Sequence, residues 1–586
     1  MTEHAGLVRR SLAAETAEEL HRRVEAQAGR LTDAIDRGDF DNEAFTVGLE
    51  LEVYAVAGAG VGASDGGTAG TGGPDADGPL RLAAVPEAVF EGPATKELGL
   101  HNAEINAEPT AFDGDGIVAQ AESVAADLAA TRERAREHGL DVVLDAMWAV
   151  PPAGGTVDYL DDVRVEGGDG PAAADAADRP GDADGEGDPP IPGPDPEDPV
   201  VVAQNMRGDP RYVAIDNDAL RRAGGTIPFE VPGASLSFRS ILFESLATSI
   251  QPHVQVPAAA DFPRYHNLAV RTLGPLLALS TNSPFLPADC YGDADPGAVV
   301  DGTHHELRVA AFEQSVNQGC RKVRVPEDLA AATDVVDAVV ADETYAPFLS
   351  EWLADDGEGD DRESVPPGGD DEGDAERDGG TELGPAGAVD ATDCWEFDYK
   401  RGTFWRWVRG VVHGDPVDGA CDERSIRLEH RPLPTQPTVR DVVGLQVLTA
   451  GLLRGLVAAD HPLEDLPWAA AERSFYAAVE DGLDADLAWV TADGERTGDP
   501  GVVFDEVFAY ARRGLDEQGV PGEVQDRYLG PIEARWDRGV TPSVWKKRRV
   551  REALDGGADL AGALAAMQRD YVRLSRERET FVDWLD

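Results

Sequence analysis

Lysine is nearly missing from this sequence. In 586 residues it occurs only at positions 96, 322, 400, 546 and 547, and the other basic residues are arginines. Against 51 basic residues stand 111 acidic ones, leaving a formal net charge of −60. A field of that sign repels nucleic acid and anionic membrane surfaces, so neither is expected as a partner. The acidic excess runs along the whole chain, and with so little lysine it reads as halophilic adaptation of the surface rather than as a dedicated cation site. Cysteine is scarce too. Cys290, Cys320, Cys394 and Cys421 show neither CxxC nor zinc spacing, which reads as isolated reduced thiols. No apolar span long enough for a membrane is expected, and the N-terminal MTEHAGLVRRSLAAETAEEL lacks the apolar centre of a signal peptide. The expectation is a soluble, cytoplasmic protein whose oligomeric state the sequence leaves open.

Gly, Pro and Asp dominate three stretches, about 57–79, 154–198 and 355–390, which read as solvated acidic insertions. Removing them leaves an alternation of strand and helix patterns without an internal repeat. The reading is one α+β domain with an N-terminal helix over about 1–40 and C-terminal helices over about 460–586. Helical patterns cover about 7–37, 115–138, 260–280, 327–353, 438–459, 464–489, 502–517 and 542–580. Strand patterns cover about 45–56, 101–108, 140–149, 229–238, 247–256, 404–412 and 424–431.

Four of these strands share an oddity. Residues two apart on a strand lie on one face. In FTVGLELEVYAV, Val47, Leu49, Leu51 and Val53 therefore point one way, and Glu50 and Glu52 the other. HNAEINAEP sets Glu104, Asn106 and Glu108 against Ala103, Ile105 and Ala107. SIQPHVQVP sets Gln251, His253 and Gln255 against Val254 and Val256. SIRLEHRPL sets Arg427, Glu429 and Arg431 against Ile426 and Leu428. One such strand is an ordinary half-wet strand. Four together offer oxygen and nitrogen donors suited to hard divalent cations, with arginines suited to phosphate, as ATP with more than one Mg2+ requires.

These pieces resemble, in the same order, the carboxylate-amine ligases of the glutamate-cysteine ligase type 2 group. FTVGLELEVYAV is similar to that family's opening Gly-x-Glu-x-Glu strand, HNAEINAEPT to its second acidic strand, and SIQPHVQVP to its His-Val-His-Val strand. GPLLALSTNSPF resembles the family's ALSANSPF helix end, HHELRVAAFEQ the segment after it, TFWRWVRG the Trp-x-x-Arg strand, and SIRLEHRPLPTQPT the Glu-x-Arg strand. The resemblance implies a mostly antiparallel six-stranded sheet flanked by helices, of the glutamine synthetase/guanido kinase type, with the active site on its concave face. It also implies ATP-dependent joining of a small-molecule carboxylate and an amine through an acyl phosphate. Glu50, Glu52, Glu104 and Glu429 then fall to Mg2+, with Glu108 and His253 as further candidates. Glu50, Glu52, Arg431 and Gln255 face the nucleotide. Arg431 holds the transferred phosphate, and Arg308 and Arg409 are candidate partners of the substrate carboxylates. Glu429 and Arg431 are expected to face an open, solvated cleft.

The sequence departs from the family at Gln255, where a second His is common, and at Pro257, where Gly is common. The acid and amine joined are therefore left open. A diverged, non-catalytic paralogue that binds nucleotide or a protein partner through the same sheet is the alternative reading. Arg211 and Tyr212, in GDPRYVAI, either approach ligand or cap and pack a helix. Trp148, Trp405 and Trp407 read as core, and His304 and His305 take no role.

Overall fold

The computed structural model describes residues 2–42, 44–58, 79–167, 189–354, 394–412 and 425–586. The expected insertion at 355–390 lies outside the described residues, as do Cys421 and most of the insertion at 57–79. Cys290 and Cys320 are free thiols.

The main sheet has strands β1 (Thr46–Ala57), β2 (Arg81–Leu82), β3 (Ala94–Lys96), β4 (Asn102–Ala111), β5 (Asp141–Val143), β6 (Ile250–Gln255), β7 (Val408–Val411) and β8 (Arg427–His430). Six of them run in the order β7-β8-β6-β1-β4-β3, every neighbour antiparallel. Eight strands stand where six were expected, because β1 outruns its neighbours. Its pairing with β6 ends at Leu51 and that with β4 at Tyr54. The backbone groups left over at Tyr54–Ala57 pair instead with β5 and β2.

Val47, Leu49, Leu51 and Val53 are buried as the alternation requires. Three helices, Gly114–Glu137, Phe262–Ser280 and Val439–Ala458, pack on the sheet, and Gln446 reaches it by donating its Nε2 to the Gly48 carbonyl at 2.8 Å. Helix Val439–Ala458 in turn lies against helix Pro500–Glu517 at backbone distance. A Cβ on Gly455 would stand 1.8 Å from the Tyr510 carbonyl oxygen, and one on Gly514 1.9 Å from that of Gly451. Glycine at both places is therefore a packing requirement. Helix Val439–Ala458 is long and apolar enough to cross a membrane by length and composition, contrary to the expectation of no such span, but 83% of its apolar window is buried inside the protein.

Several expected elements break where the local chemistry dictates. The N-terminal pattern is two helices, Thr2–Ser11 and Ala14–Arg37. The pattern over 542–580 splits into Pro542–Asp555 and Leu560–Glu577, with Gly557 between them at φ +94°. The strand pattern over 229–238 is a hairpin, Ile227–Val231 and Ala234–Phe238, turning at Gly233 with φ +87°. The pattern over 327–353 yields only the helix Asp334–Ala341 and the short turn Glu351–Ala354. The expected insertion at 154–198 starts too early, since Thr156–Leu160 is helical and Val163–Glu166 pairs with Val200–Ala203.

His266 on helix Phe262–Ser280 gives a pH prediction. It is 2% exposed, and burial pushes its imidazole down to about 4, with Asn267 and Asp328 opposing only in part. The unfolded chain binds this proton near the ordinary value of 6.5, so the neutral buried ring contributes stability that is full above that value and is lost as pH falls toward 4. In urea titrations at fixed high salt, wild type should lose about 3 kcal/mol relative to His266→Gln between neutral pH and pH 4. A pH-independent difference between the two would show that the ring is protonated in place.

Candidate functional site

The register of the sheet assembles the polar face. Glu50 stands opposite both Gln251 on β6 and Asn106 on β4, and Glu52 stands opposite Glu104. His253 pairs with Glu429, and Glu429 with Arg409. Strand pairing thus makes neighbours of residues far apart in sequence.

Two groups of ligand atoms converge on this face. The first is Glu50, His253 and Glu429, and the second is Glu52, Glu97 and Glu104; within each, one ligand atom per residue lies within 4.8 Å of the others. His253 Nε2 is buried and has no hydrogen bond among the described residues, although it lies 3.2 Å from Glu50 Oε1. An orphaned ring nitrogen beside two carboxylates is what a coordinated cation would satisfy. In the second group, burial and then the charge of Glu52 push the Glu97 carboxyl up to about 7. Burial and then Glu50, Glu97 and Glu52 hold Glu104 well above the ordinary carboxylate range. Carboxylates crowded this way repel one another unless protons or a divalent cation neutralise them. Both sets supply the carboxylate oxygens that Mg2+ takes while it retains waters, and the first adds one ring nitrogen.

Glu52 is oriented by three donors: Ser249 N at 2.7 Å, Ser249 Oγ at 2.9 Å and Gln251 Nε2 at 3.2 Å. The same Gln251 accepts from Arg431 Nη1 at 2.6 Å through its Oε1. Arg431 also donates to Glu429, whose other oxygen accepts from Arg409 Nε at 2.6 Å. Burial would raise the Glu429 carboxyl, but Arg409 and then Arg431 and His253 outweigh it and keep it ionised, far below the ordinary range. Arg308 donates Nη2 to the Arg431 carbonyl at 2.5 Å and lies over the Trp407 ring.

The structure thus brings Glu50, Glu52, Glu104, His253, Glu429, Arg409 and Arg431 together, with Arg308 against the backbone of Arg431 and Leu433. Two candidates stand apart. Glu108 is exposed at a bulge, where it and Pro109 together face Gly48, and it joins neither group. Gln255 donates its amide to the Ala44 carbonyl at 3.2 Å, away from both groups. The expectation of an open cleft at Glu429 is corrected, since it is 1% exposed between its two arginines. Glu97 is absent from the sequence reading. It follows β3 in a loop with no alternation to mark it, and only the proximity of HNAEINAEP hints at it.

Residues 46–564 match the family model described as glutamate-cysteine ligase family 2. The chain belongs to that family. No curated protein matches it. Among solved structures, a glutamate-cysteine ligase from Francisella tularensis in complex with AMP is 13% identical, covering 92% of this chain and 90% of that one at a TM-score of 0.43. Membership of the ligase family covers all eight strands of the sheet, so both ligand groups lie inside the matched region.

Proposed function

We propose that this family member is an ATP-dependent carboxylate-amine ligase that activates an acid as its acyl phosphate and joins it to an amine. The observation that carries this reading is the pair of three-ligand groups on one sheet face, with Arg409 and Arg431 set against the first of them. Glu50, His253 and Glu429 would hold one Mg2+, and Glu52, Glu97 and Glu104 another. When bound, Mg2+ supplies charge neutralisation at phosphate oxygens. Arg431 is placed to take the oxygens of the transferring phosphoryl group, its planar fork matching their geometry. Arg308 and Arg409 supply positive charge for substrate carboxylates. The amine attacks the acyl carbon directly, so the chain need supply no nucleophile.

The test is phosphate release in molar KCl with ATP, Mg2+, L-glutamate, and L-cysteine or another amino acid as acceptor. Release should depend on both amino acids and match amide formed mole for mole. Nucleotide binding without turnover for every acid and amine tried would overturn the ligase reading in favour of a non-catalytic paralogue.

A further inference from the structure

The two ligand groups are not alike in chemistry. Glu52, Glu97 and Glu104 offer only carboxylates, whereas Glu50, His253 and Glu429 offer two carboxylates and an imidazole. Their charge differs as well. In the all-carboxylate group the hydrogen bonds to Glu52 and Glu97 come from neutral donors: Ser249 and Gln251 hold Glu52, and Leu98 N donates to Glu97 Oε2 at 2.8 Å. Glu429 in the other group instead shares its oxygens with the guanidiniums of Arg409 and Arg431. One group is a dense oxygen anion. The other is less negative and carries nitrogen.

Strand register fixes His253 in its place. It stands opposite Gly48 on β1 and Glu429 on β8, and its unbonded, buried Nε2 lies 3.2 Å from Glu50 Oε1. A neutral imidazole held there leaves a nitrogen lone pair among carboxylate oxygens, an arrangement that a bound cation relieves. Nitrogen donors also discriminate between cations. Mg2+ is held by oxygen and keeps its waters, so an imidazole adds little to its binding, whereas first-row transition ions gain from nitrogen. Mn2+ is the ion of that series that also suits carboxylates and water.

We propose that His253 makes the group it shares with Glu50 and Glu429 selective for Mn2+ over Mg2+, and that the all-carboxylate group takes Mg2+. The inference rests on the ligase reading for a divalent cation in each group, and it names which ion each one takes.

The probe is Mn2+ alone, without nucleotide, so turnover does not enter. With the full chain stripped of metal, in molar KCl, Mn2+ titrations followed by electron paramagnetic resonance should show a tight class of sites that excess Mg2+ leaves occupied, and a second class that it empties. Electron spin-echo modulation of the tightly bound Mn2+ should carry a nitrogen coupling. Protein made with isotopically labelled histidine should change that coupling, a check that needs no substitution. H253Q should remove the coupling and lower the preference for Mn2+ over Mg2+ by at least the roughly 10-fold that loss of even an outer partner costs. E104Q should keep both and weaken Mg2+ binding.

Tightly bound Mn2+ without a histidine coupling overturns the proposal, since the ring is then an imidazolium paired with Glu50. So does a preference that H253Q leaves unchanged, complete displacement of Mn2+ by Mg2+, or the absence of any tight Mn2+ class. Failure of the ligase reading is a separate result: no amide and no phosphate release, with the metal titrations as expected.

Discussion

Glu429→Gln is expected to lower turnover about a hundred- to a thousandfold, and to destabilise the fold at the same time. On the function proposed above, the rate loss follows from removing a ligand charge and the group that orients Arg431, both of which would act where charge develops on the transferring phosphoryl group. The stability loss follows from burial. Glu429 is 1% exposed and accepts from two guanidiniums, so its neutral replacement leaves Arg409 and Arg431 without their counter-charge, a loss of about 3 to 5 kcal/mol. Arg431→Lys separates the two effects. It keeps the positive charge beside Glu429 but loses the planar fork that also holds Gln251, so turnover should drop while the melt moves much less. Glu50→Gln, at a residue only half-buried, should chiefly raise the Mg2+ concentration needed for half-maximal rate. Phosphate release and thermal melts on the three variants check all of this. Unchanged kinetics in all of them would remove the site from this face.

Arg535→Met is expected to lower stability by about 3 to 5 kcal/mol without touching the chemistry. Arg535 and Asp441 are both fully buried. The guanidinium donates to Asp441 Oδ1 at 2.8 Å, to Gln436 Oε1 at 2.7 Å and to the Leu279 carbonyl at 3.1 Å. It thereby joins helix Gly522–Arg538 to the end of helix Phe262–Ser280 and the start of helix Val439–Ala458. Removing it strands a buried carboxylate that also anchors Phe581 N. Denaturant titration in high salt should show the loss, while turnover per folded molecule at low temperature should hold. A change under about 1 kcal/mol would mean that water replaces the guanidinium.

The polar sheet face was legible because it is written in alternation: Glu50 and Glu52, Glu104, His253, and Glu429 and Arg431 each sit on a strand whose other face is apolar. What alternation does not encode is pairing. Sequence pattern places Glu429 on a polar face, but its burial comes from Arg409 on the next strand and from the elements that cover the sheet. Glu97 lies on a loop, where no period exists to betray it. Helix Pro210–Ala223 escaped for a different reason. Its buried side carries Asp216, Asn217 and Asp218, whose hydrogen bonds to Ser240 and Ile241, to Val201, and to Arg221 and Arg222 make polar residues serve as core. Arg211, its second residue, lays its guanidinium over the Tyr399 ring. The pattern over 140–149 reads as strand by its apolarity, yet β5 stops at Val143. Asp145 within that run is buried and pairs with Lys546.

Gln251 has a consequence for descent. Its amide presents an acceptor to Arg431 and a donor to Glu52 at once, and a carboxamide offers the two on separate atoms of one planar group. A carboxylate there would repel Glu52, and an ammonium would repel Arg431. The two ligand groups are therefore not separable modules that can drift on their own. A charge altered in one group is felt in the other through the Gln251 amide.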